Sequence, residues 1–252
     1  MPAMSEPVHP HCLVTGGSSG IGWAVAEQLQ ALGWRVTSMS RRNLAPDGVM
    51  AIEGDAADPA DVERAVTAAT DPAGRLAGLV CAAGLPPAGP WNDPEPWAEI
   101  IRVDLTAPWE AARAAWPALT AGRGAVVLLG SIVGAAEGSS RSPAYAAAKS
   151  GLEGLARSLA LIGAADGVRV NVVAPGAIDT PFDDTLFPPQ ARPDVPLGRM
   201  GSADEVAGVV TFLLSEAADY VSGAVWRVDG GRTAYSPTSA AGRLAPEGSV
   251  ET

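Results

Sequence analysis

Lysine is almost missing from this sequence. Among 252 residues there are sixteen arginines but a single lysine, Lys149, and the formal net charge is −11. Sequence-independent affinity for nucleic acid comes mainly from lysine and arginine neutralising phosphates, so a chain this acidic is not expected to bind DNA or RNA. Any anionic ligand must therefore be held by local groups.

Cysteine and long apolar runs are also scarce. With only two cysteines, Cys12 and Cys81, the sequence has no disulfide framework and no cysteine metal cluster, and buried thiols in a cytosolic protein are expected. The longest apolar run, Gly124 to Ala136, is interrupted by glycines and Ser131 and falls short of the roughly 18 to 20 residues of a membrane span. Residues 1–10 lack the pattern of a secretory signal. These features predict a cytoplasmic protein without a membrane anchor.

Short apolar segments alternate with longer amphipathic ones, as in successive βαβ units. The pattern predicts a doubly wound α/β fold, a three-layer sandwich around a seven-stranded parallel sheet. Strands are predicted at His11–Thr15, Arg35–Ser40, Met50–Glu53, Gly78–Ala82, Gly124–Leu129, Arg169–Val173 and Ala224–Val228. Helices are predicted at Gly20–Leu32, Asp58–Thr70, Trp97–Ala121 with a break or restart at Pro108, Ser142–Ile162 and Ala203–Leu214.

Proline marks two segments that do not fit this alternation. Leu85 to Pro96 and Thr180 to Pro196 each contain five prolines and are predicted to be loops, the second long enough to suggest a functional role. Residues 1–9 are expected to be an N-terminal extension, residues 10–235 one domain, and the small, polar residues 236–252 a poorly ordered tail.

A glycine-rich turn follows the first predicted strand and opens the first predicted helix. It has the sequence TGGSSGIG over residues 15–22. Glycines at such a point allow the backbone to approach a pyrophosphate, whose charge is met by unpaired N–H groups of the helix. Glycines also serve ordinary turns, so the position between strand and helix is what favours a nucleotide site.

Tyr145 and the single Lys149 are four residues apart in a predicted helix, and therefore lie on one face of it. An ammonium beside a phenol favours the phenolate and lowers its pKa from about 10 toward neutrality, which makes the tyrosine a usable acid and base. The alternative is a chance pair on the surface. Placement of the only lysine at this spacing favours the catalytic interpretation.

Ser131 directly follows a strongly apolar predicted strand. The carboxyl ends of strands are where open α/β sheets bind ligands, so its hydroxyl could hydrogen-bond a substrate oxygen. Taken alone, the serine is more typical of an ordinary turn.

Together these residues resemble the short-chain dehydrogenase/reductase family in its compact single-domain form, over about Pro10 to Gly231. The motifs that carry the resemblance are TGGSSGIG at 15–22, GDA at 54–56, Ser131 with YAAAK at 145–149, NVVAPGAIDT at 171–180, PLGRMG at 196–201 and VDGG at 228–231.

The resemblance implies a Rossmann fold and hydride transfer between a nicotinamide and a carbonyl or alcohol carbon. It places Ser131 on the substrate oxygen and makes Tyr145 the proton donor or acceptor. Lys149 would lower the pKa of Tyr145 and bind the nicotinamide ribose. The implied cofactor contacts are Gly16, Ser18, Ser19, Gly20, Ile21, Gly22, Asp55, Ala56, Ala82, Ala83, Gly84, Tyr145, Lys149, Pro175, Gly176, Ile178 and Thr180.

Three positions depart from the family pattern. Asp104 stands where the family usually has a catalytic asparagine, and two hypotheses stay open: it retains the asparagine's water relay to the lysine, or it caps the helix restart before Pro108. Cys81-Ala82-Ala83-Gly84 replaces a usual Asn-Asn-Ala-Gly and loses amide hydrogen bonds. The connection from Ser40 to Met50 is too short for a full helix, which leaves the adenine side more open.

Cofactor choice is read at the end of the second strand, where an acid selects NAD and a base accepts the 2′-phosphate of NADP. Ser40, Arg41 and Arg42 stand there and no acid does, so NADP(H) is predicted over NAD(H). The alternative is that both arginines are solvent-facing loop charges.

A mainly apolar pocket is expected for the substrate, which favours an uncharged, fairly hydrophobic ketone or secondary alcohol. The residues predicted to contact it are Ser131, Val133, Tyr145, Ala177, Phe182 and Leu186. Small residues along Ser142–Ile162 suggest a subunit contact, and the family resemblance implies a homodimer or homotetramer.

Rival functions remain open. One is an NAD-dependent alcohol dehydrogenase of the same family. Another is a non-catalytic nucleotide-binding redox sensor, which would need the glycine turn but not Ser131, Tyr145 and Lys149 together. A dehydratase or epimerase of the same fold usually has a larger substrate domain than 252 residues leave room for.

Overall fold

Seven parallel strands form the middle layer of the molecule. The computed structural model describes residues 9–87, 89–182 and 195–234. The strands of this sheet are β1 His11–Thr15, β2 Arg35–Ser40, β3 Met50–Glu53, β4 Gly78–Cys81, β5 Ala125–Leu129, β6 Arg169–Pro175 and β9 Val225–Val228. Their spatial order is β3-β2-β1-β4-β5-β6-β9. The order reverses between β1 and β4, and this reversal opens a crevice at the carboxyl ends of the strands.

Helices cover both faces of the sheet. They are α1 Gly20–Ala31, α2 Pro59–Ala69, α3 Pro94–Ile101, α4 Ala107–Gly122, the short turn α5 Ile132–Ala135, α6 Pro143–Gly163 and α7 Ala203–Leu214. One apolar core joins the sheet to α1 and α7, and a second joins it to α2, α4 and α6. Because both faces are covered, β4 and β5 are buried along their whole length. The predicted fold class is confirmed.

The connection from β2 to β3 contains no helix, as the sequence predicted. The predicted helix Trp97–Ala121 differs more. It is divided into α3, a π-helical segment at Arg102–Thr106, and α4, whose second residue is Pro108. The helix α3 also begins inside the stretch predicted to be a loop, since Asp93 accepts a hydrogen bond from the Glu95 N–H and so caps a start at Pro94.

Two very short strands escaped the sequence analysis. Ile178–Asp179 (β7) and Gly201–Ser202 (β8) pair in parallel to form a separate two-stranded sheet. It ties the segment after β6 to the start of α7. Two-residue strands carry no alternating pattern, so no sequence signal marks them.

Some predictions fall on undescribed residues. Residues 1–8, the tail at 236–252 and residues 183–194 of the proline-rich loop lie outside the described part of the chain. Within the described ranges, no helix is long and apolar enough to cross a membrane. Those same ranges contain no group of three or more His, Cys, Asp and Glu residues that could hold a metal ion.

Candidate functional site

A cleft of about 830 Å³ lies at the carboxyl ends of the strands. The segments that line it follow β1, β2, β3, β4, β5 and β6, so it crosses the point where the strand order reverses. Open α/β sheets bind their ligands in this position. We refer to its end near β2 and β3 as the adenosine end and to its end between β5 and α6 as the reaction end, after the roles that the sequence resemblance implies.

The glycine turn forms the floor of the cleft, and its glycines are required by close packing. A Cβ on Gly16 would lie 2.5 Å from the Ala83 nitrogen, and Gly16 has a positive φ of 77°. A Cβ on Gly22 would lie 2.4 Å from the Gly16 carbonyl oxygen. The turn therefore folds against itself and against the end of β4, leaving the start of α1 open to the cleft.

The N-terminus of α1 is prepared for an anion. Among the described residues, the side chain of its N-cap residue Ser19 makes no capping hydrogen bond, and the first turn contains no acid. The first N–H groups of the helix thus retain their hydrogen-bonding capacity and the positive end of the helix dipole. This arrangement fits the pyrophosphate of a dinucleotide.

Two arginines lie at the adenosine end. Arg41 and Arg42 follow β2, line the cleft and are exposed. The Ser40 hydroxyl donates to the Arg42 carbonyl, and Arg42 Nη2 donates to Ser18 Oγ at 3.4 Å, which connects this loop to the glycine turn. Both arginines therefore line the cleft beside the glycine turn.

Asp55 and Ala56 close the adenosine end from the β3 side. Asp55 accepts from the Ala57 N–H at 2.9 Å, and its carboxylate lies 3.6 Å from Arg102. The Arg102 guanidinium also pairs with Glu99 at 2.8 Å. Asp55 is thereby held as part of a turn and an ion-pair network.

Tyr145 and Lys149 meet at the reaction end, and both are buried. The helix α6 begins just before them because the Ser142 hydroxyl accepts from the Tyr145 N–H at 3.3 Å. Lys149 Nζ lies 5.5 Å from the centroid of the Tyr145 ring and donates to the Leu129 carbonyl at 3.0 Å. The predicted i,i+4 pair is therefore a buried pair lining the cleft.

Asp104 lies directly beside the lysine. Its carboxylate is completely buried, and Oδ1 is 2.9 Å from Lys149 Nζ. Oδ2 accepts from the Leu85 N–H at 3.1 Å. Asp104 belongs to the π-helical segment and caps no helix: α4 begins after Thr106 without a side-chain cap. The capping hypothesis was wrong, because the carboxylate turns inward to the ammonium.

The ion pair also governs the charge of the lysine. Burial alone would lower the pKa of the Lys149 ammonium, but attraction to Asp104 and then to Tyr145 outweighs it, so the pKa lies above its usual value. Burial raises the pKa of the neighbouring Cys81 thiol to about 12, which keeps that group neutral.

Ser131 completes the reaction end. It lines the cleft at the start of α5, where its Oγ accepts from the Val133 N–H at 3.1 Å. Val133, Ala177 and Phe182 form an apolar wall beside it, with the Phe182 ring 6.4 Å from the ring of Tyr145. The predicted contact Leu186 lies outside the described residues.

The middle of the cleft is formed by the remaining predicted cofactor contacts. They are Ala82, Ala83, Gly84, Pro175, Gly176, Ile178 and Thr180, all of which line it. Gly84 approaches Asp104 closely, since a Cβ there would lie 2.7 Å from Oδ1. A Cβ added to Gly20 would lie 3.6 Å from the Thr180 side chain, so the first turn of α1 and the segment that follows β6 face each other.

Sequence reasoning missed the charged residues at the edge of the cleft. Arg232, after β9, pairs with Glu137 at 2.9 Å, and both line the cleft with Arg141. Glu99 and Arg102 line it from the other side. Nothing local in the sequence marks Arg232, because it reaches the site only through the position of β9 next to β6.

Comparison with known proteins identifies related sequences. A family model described as enoyl-(acyl carrier protein) reductase matches residues 16–233. The 3-oxoacyl-[acyl-carrier-protein] reductase MabA of Mycobacterium tuberculosis is 39% identical over 225 residues, covering 87% of this chain and 91% of that protein. The cis-4-hydroxycyclohexanecarboxylate dehydrogenase of Sinomonas cyclohexanicum is 38% identical over 240 residues, covering 88% and 96%.

Solved structures agree with these matches. Aldohexose dehydrogenase of Thermoplasma acidophilum superposes with a TM-score of 0.84 at 29% identity, covering 91% of this chain and 96% of that one. Levodione reductase superposes with a TM-score of 0.81 at 32% identity, covering 90% and 98%. Both similarities extend over nearly the whole chain.

Proposed function

The chain belongs to the short-chain dehydrogenase/reductase family and is an enzyme that interconverts carbonyl and alcohol groups, and on this premise we propose an NADP(H)-dependent oxidoreductase acting on a ketone or secondary alcohol. The observation that carries the proposal is the buried Tyr145–Lys149 pair beside Ser131 in one cleft. A non-catalytic nucleotide sensor would have no need of this constellation.

The cofactor supplies the hydride when bound, and the protein supplies position and the proton. The Ser131 hydroxyl donates a hydrogen bond to the substrate oxygen. In reduction, the Tyr145 O–H gives its proton to that oxygen, and in oxidation the phenolate takes it back. The Lys149 ammonium stabilises the phenolate by its charge and would donate its remaining N–H to a ribose hydroxyl of the bound cofactor. Asp104 takes the asparagine's place in the relay that returns a proton to Tyr145 through Lys149.

The preference for NADP(H) is supported by Arg41 and Arg42. Both are exposed beside the glycine turn, and arginine presents parallel N–H donors to phosphate oxygens. The protein as a whole is acidic, so specific donors would have to bind the cofactor phosphates. The N–H groups of α1 would bind the pyrophosphate, and these two guanidinium groups would bind the 2′-phosphate.

An uncharged, fairly hydrophobic substrate is supported by the wall of Val133, Ala177 and Phe182 next to Ser131. We further assign the enzyme to the cytoplasm, since Cys12 and Cys81 are buried free thiols. We also propose that residues 10–235 form one domain and that the chain assembles into a homodimer or homotetramer. The exposed Leu161 and Ile162 on α6 support such a contact between subunits.

Replacing Tyr145 with phenylalanine tests the function. A panel of ketones is reduced with NADPH and with NADH in parallel, and nicotinamide absorbance is followed. Tyr145→Phe removes the transferable proton while keeping the ring beside Phe182, so turnover should fall by about 10²- to 10⁴-fold. Cofactor binding and the unfolding temperature should stay unchanged.

Two outcomes would contradict the proposal. Near-native turnover in Tyr145→Phe would remove Tyr145 from the chemistry. Tight dinucleotide binding without oxidation or reduction across the whole panel, by the wild-type protein, would instead indicate a sensor.

A further inference from the structure

The buried ammonium of Lys149 has three N–H donors, and the protein itself occupies two of them. One points to the Leu129 carbonyl at 3.0 Å and another to Asp104 Oδ1 at 2.9 Å. One donor remains for a ribose hydroxyl or the tyrosine. Two of the lysine's three donors are therefore already in use, and its positive charge already has a counter-charge within the protein.

The carboxylate that matches it is fixed in place. Asp104 is 0% exposed and its two oxygens face the Leu85 N–H at 3.1 and 3.4 Å, so the surrounding protein holds the carboxylate in this orientation. Its oxygens act as acceptors, Oδ1 from the ammonium and Oδ2 from the backbone N–H. At this depth, charges are screened far less than on the surface.

We propose that Asp104 is a buried counter-ion that cancels much of the effect of Lys149 on Tyr145, so that the tyrosine keeps its proton to higher pH than a lone lysine would allow. The inference rests on the proposed role of Tyr145 and makes Asp104 a positioning residue that acts through the lysine. A tyrosine that stays protonated at neutral pH is a proton donor, which favours carbonyl reduction over alcohol oxidation.

Within the described ranges, no other charged group of the cleft is buried beside Lys149 as Asp104 is. Cys81 on β4 faces the lysine as a neutral thiol. The remaining charged groups of the cleft all keep some solvent contact. They are Arg41 and Arg42 after β2, Asp55 after β3, Glu99 with Arg102, Glu137 with Arg232, and Arg141.

The test removes the charge and keeps the shape. Asp104→Asn is made in the full chain, and the ultraviolet absorbance of phenolate is recorded against pH without cofactor. The same titration of Tyr145→Phe is subtracted to remove Tyr220 and Tyr235. The midpoint assigned to Tyr145 should fall by about one pH unit in Asp104→Asn, because the phenolate then takes over from Asp104 as the counter-charge of the buried ammonium.

Turnover gives a second reading. Reduction requires the protonated tyrosine, so the alkaline limb of its pH–rate profile should move down by the same interval in Asp104→Asn. Oxidation requires the phenolate, so its acid limb should move down as well. Glu110→Gln is the control, since it removes one carboxylate from an exposed pair with Arg113 on α4. It should leave both limbs in place.

Equal midpoints in Asp104→Asn and Glu110→Gln would overturn the inference. If Asp104→Asn does not fold, the wild-type titration decides alone. A midpoint of about 9 or higher supports the counter-ion, whereas any lower midpoint contradicts it, because an ammonium without a counter-ion lowers the pKa of a phenol from about 10 toward neutrality. Failure of the proposed function is separate: it would show as full turnover by Tyr145→Phe.

Discussion

Two neighbouring helices begin in opposite ways. The helices α1 and α7 pack together on one face of the sheet, and Gln28 Nε2 of α1 donates to the Asp204 carbonyl of α7 at 3.1 Å. At the start of α7, the Ser202 hydroxyl accepts from the Glu205 N–H at 3.2 Å, and the Glu205 carboxylate accepts from the Ser202 N–H at 2.9 Å. The start of α1 has neither a side-chain cap nor an acid in its first turn.

The difference is between a helix end that is closed by the protein's own side chains and one whose N–H groups stay available to the cleft. Hydrogen bonds from Arg199 and the Ser202 N–H lower the pKa of Glu205 to about 2, so its carboxylate remains at the positive end of α7 over the working pH range. The start of α1 leaves the same kind of positive end to the cleft. The stabilisation that a cap would add is absent at the helix whose N–H groups we propose to bind a phosphate.

The largest effect is expected from giving α1 a carboxylate at its start, as α7 has. Ser19→Asp supplies an N-cap carboxylate, which should keep or raise the free energy of unfolding by up to about 1 kcal/mol. The same charge faces the incoming pyrophosphate, so dinucleotide affinity should fall by about 100-fold. Thermal unfolding and a fluorescence titration with NADPH measure the two effects.

Ser19→Ala is the matched control, because it removes the hydroxyl without adding charge. Its affinity should stay within a few-fold of wild type. If Ser19→Asp bound NADPH normally, the start of α1 would not be the phosphate site. A simultaneous loss of stability and affinity would indicate a damaged turn instead.

The next largest effect is expected on cofactor preference, from changing the charge of a side chain near α1. Since α1 offers only backbone donors, preference between the two cofactors must come from outside it, and Arg41 is placed to supply it. Arg41→Asp should reduce the ratio of kcat/KM for NADPH over NADH by at least about 10-fold. Arg35→Asp, at the opposite end of β2, should leave the ratio unchanged. An unchanged ratio in Arg41→Asp would mean that Arg41 is only a loop charge.

The smallest effect is expected at α7. Ser202→Ala removes half of the capping box and should lower the free energy of unfolding by about 1 kcal/mol. NADPH affinity should not change, because this helix end does not line the cleft. If Ser202→Ala lost cofactor affinity at unchanged stability, the start of α7 would take part in cofactor binding and would not serve stability alone.

The sequence predicted the fold class and most of the residues that line the cleft, because its strongest signals are local. Glycine spacing in residues 15–22, the four-residue interval from Tyr145 to Lys149, and apolar strands of four to seven residues are all visible without tertiary information. The carboxyl ends of parallel strands then place the following loops at one edge.

What the sequence could not predict depends on packing between distant segments. Asp104 has the local appearance of a cap, yet the π-helical segment at Arg102–Thr106 turns its carboxylate to Lys149. The pairing of Glu137 with Arg232 joins residues 95 apart in sequence. Such contacts are set by the order of strands in the sheet, which no short window contains.

The narrow space between Gly84 and Asp104 also limits how this chain can vary. A side chain at position 84 would force the Asp104 carboxylate from its place, and Lys149 would be left buried without its counter-charge. Breaking a buried pair in this way costs about 3 to 5 kcal/mol, a large part of the stability of an ordinary domain. The constraint therefore runs in one direction: position 84 cannot gain a side chain while Asp104 and Lys149 stay paired, whereas the smallest residue at 84 leaves position 104 free to change.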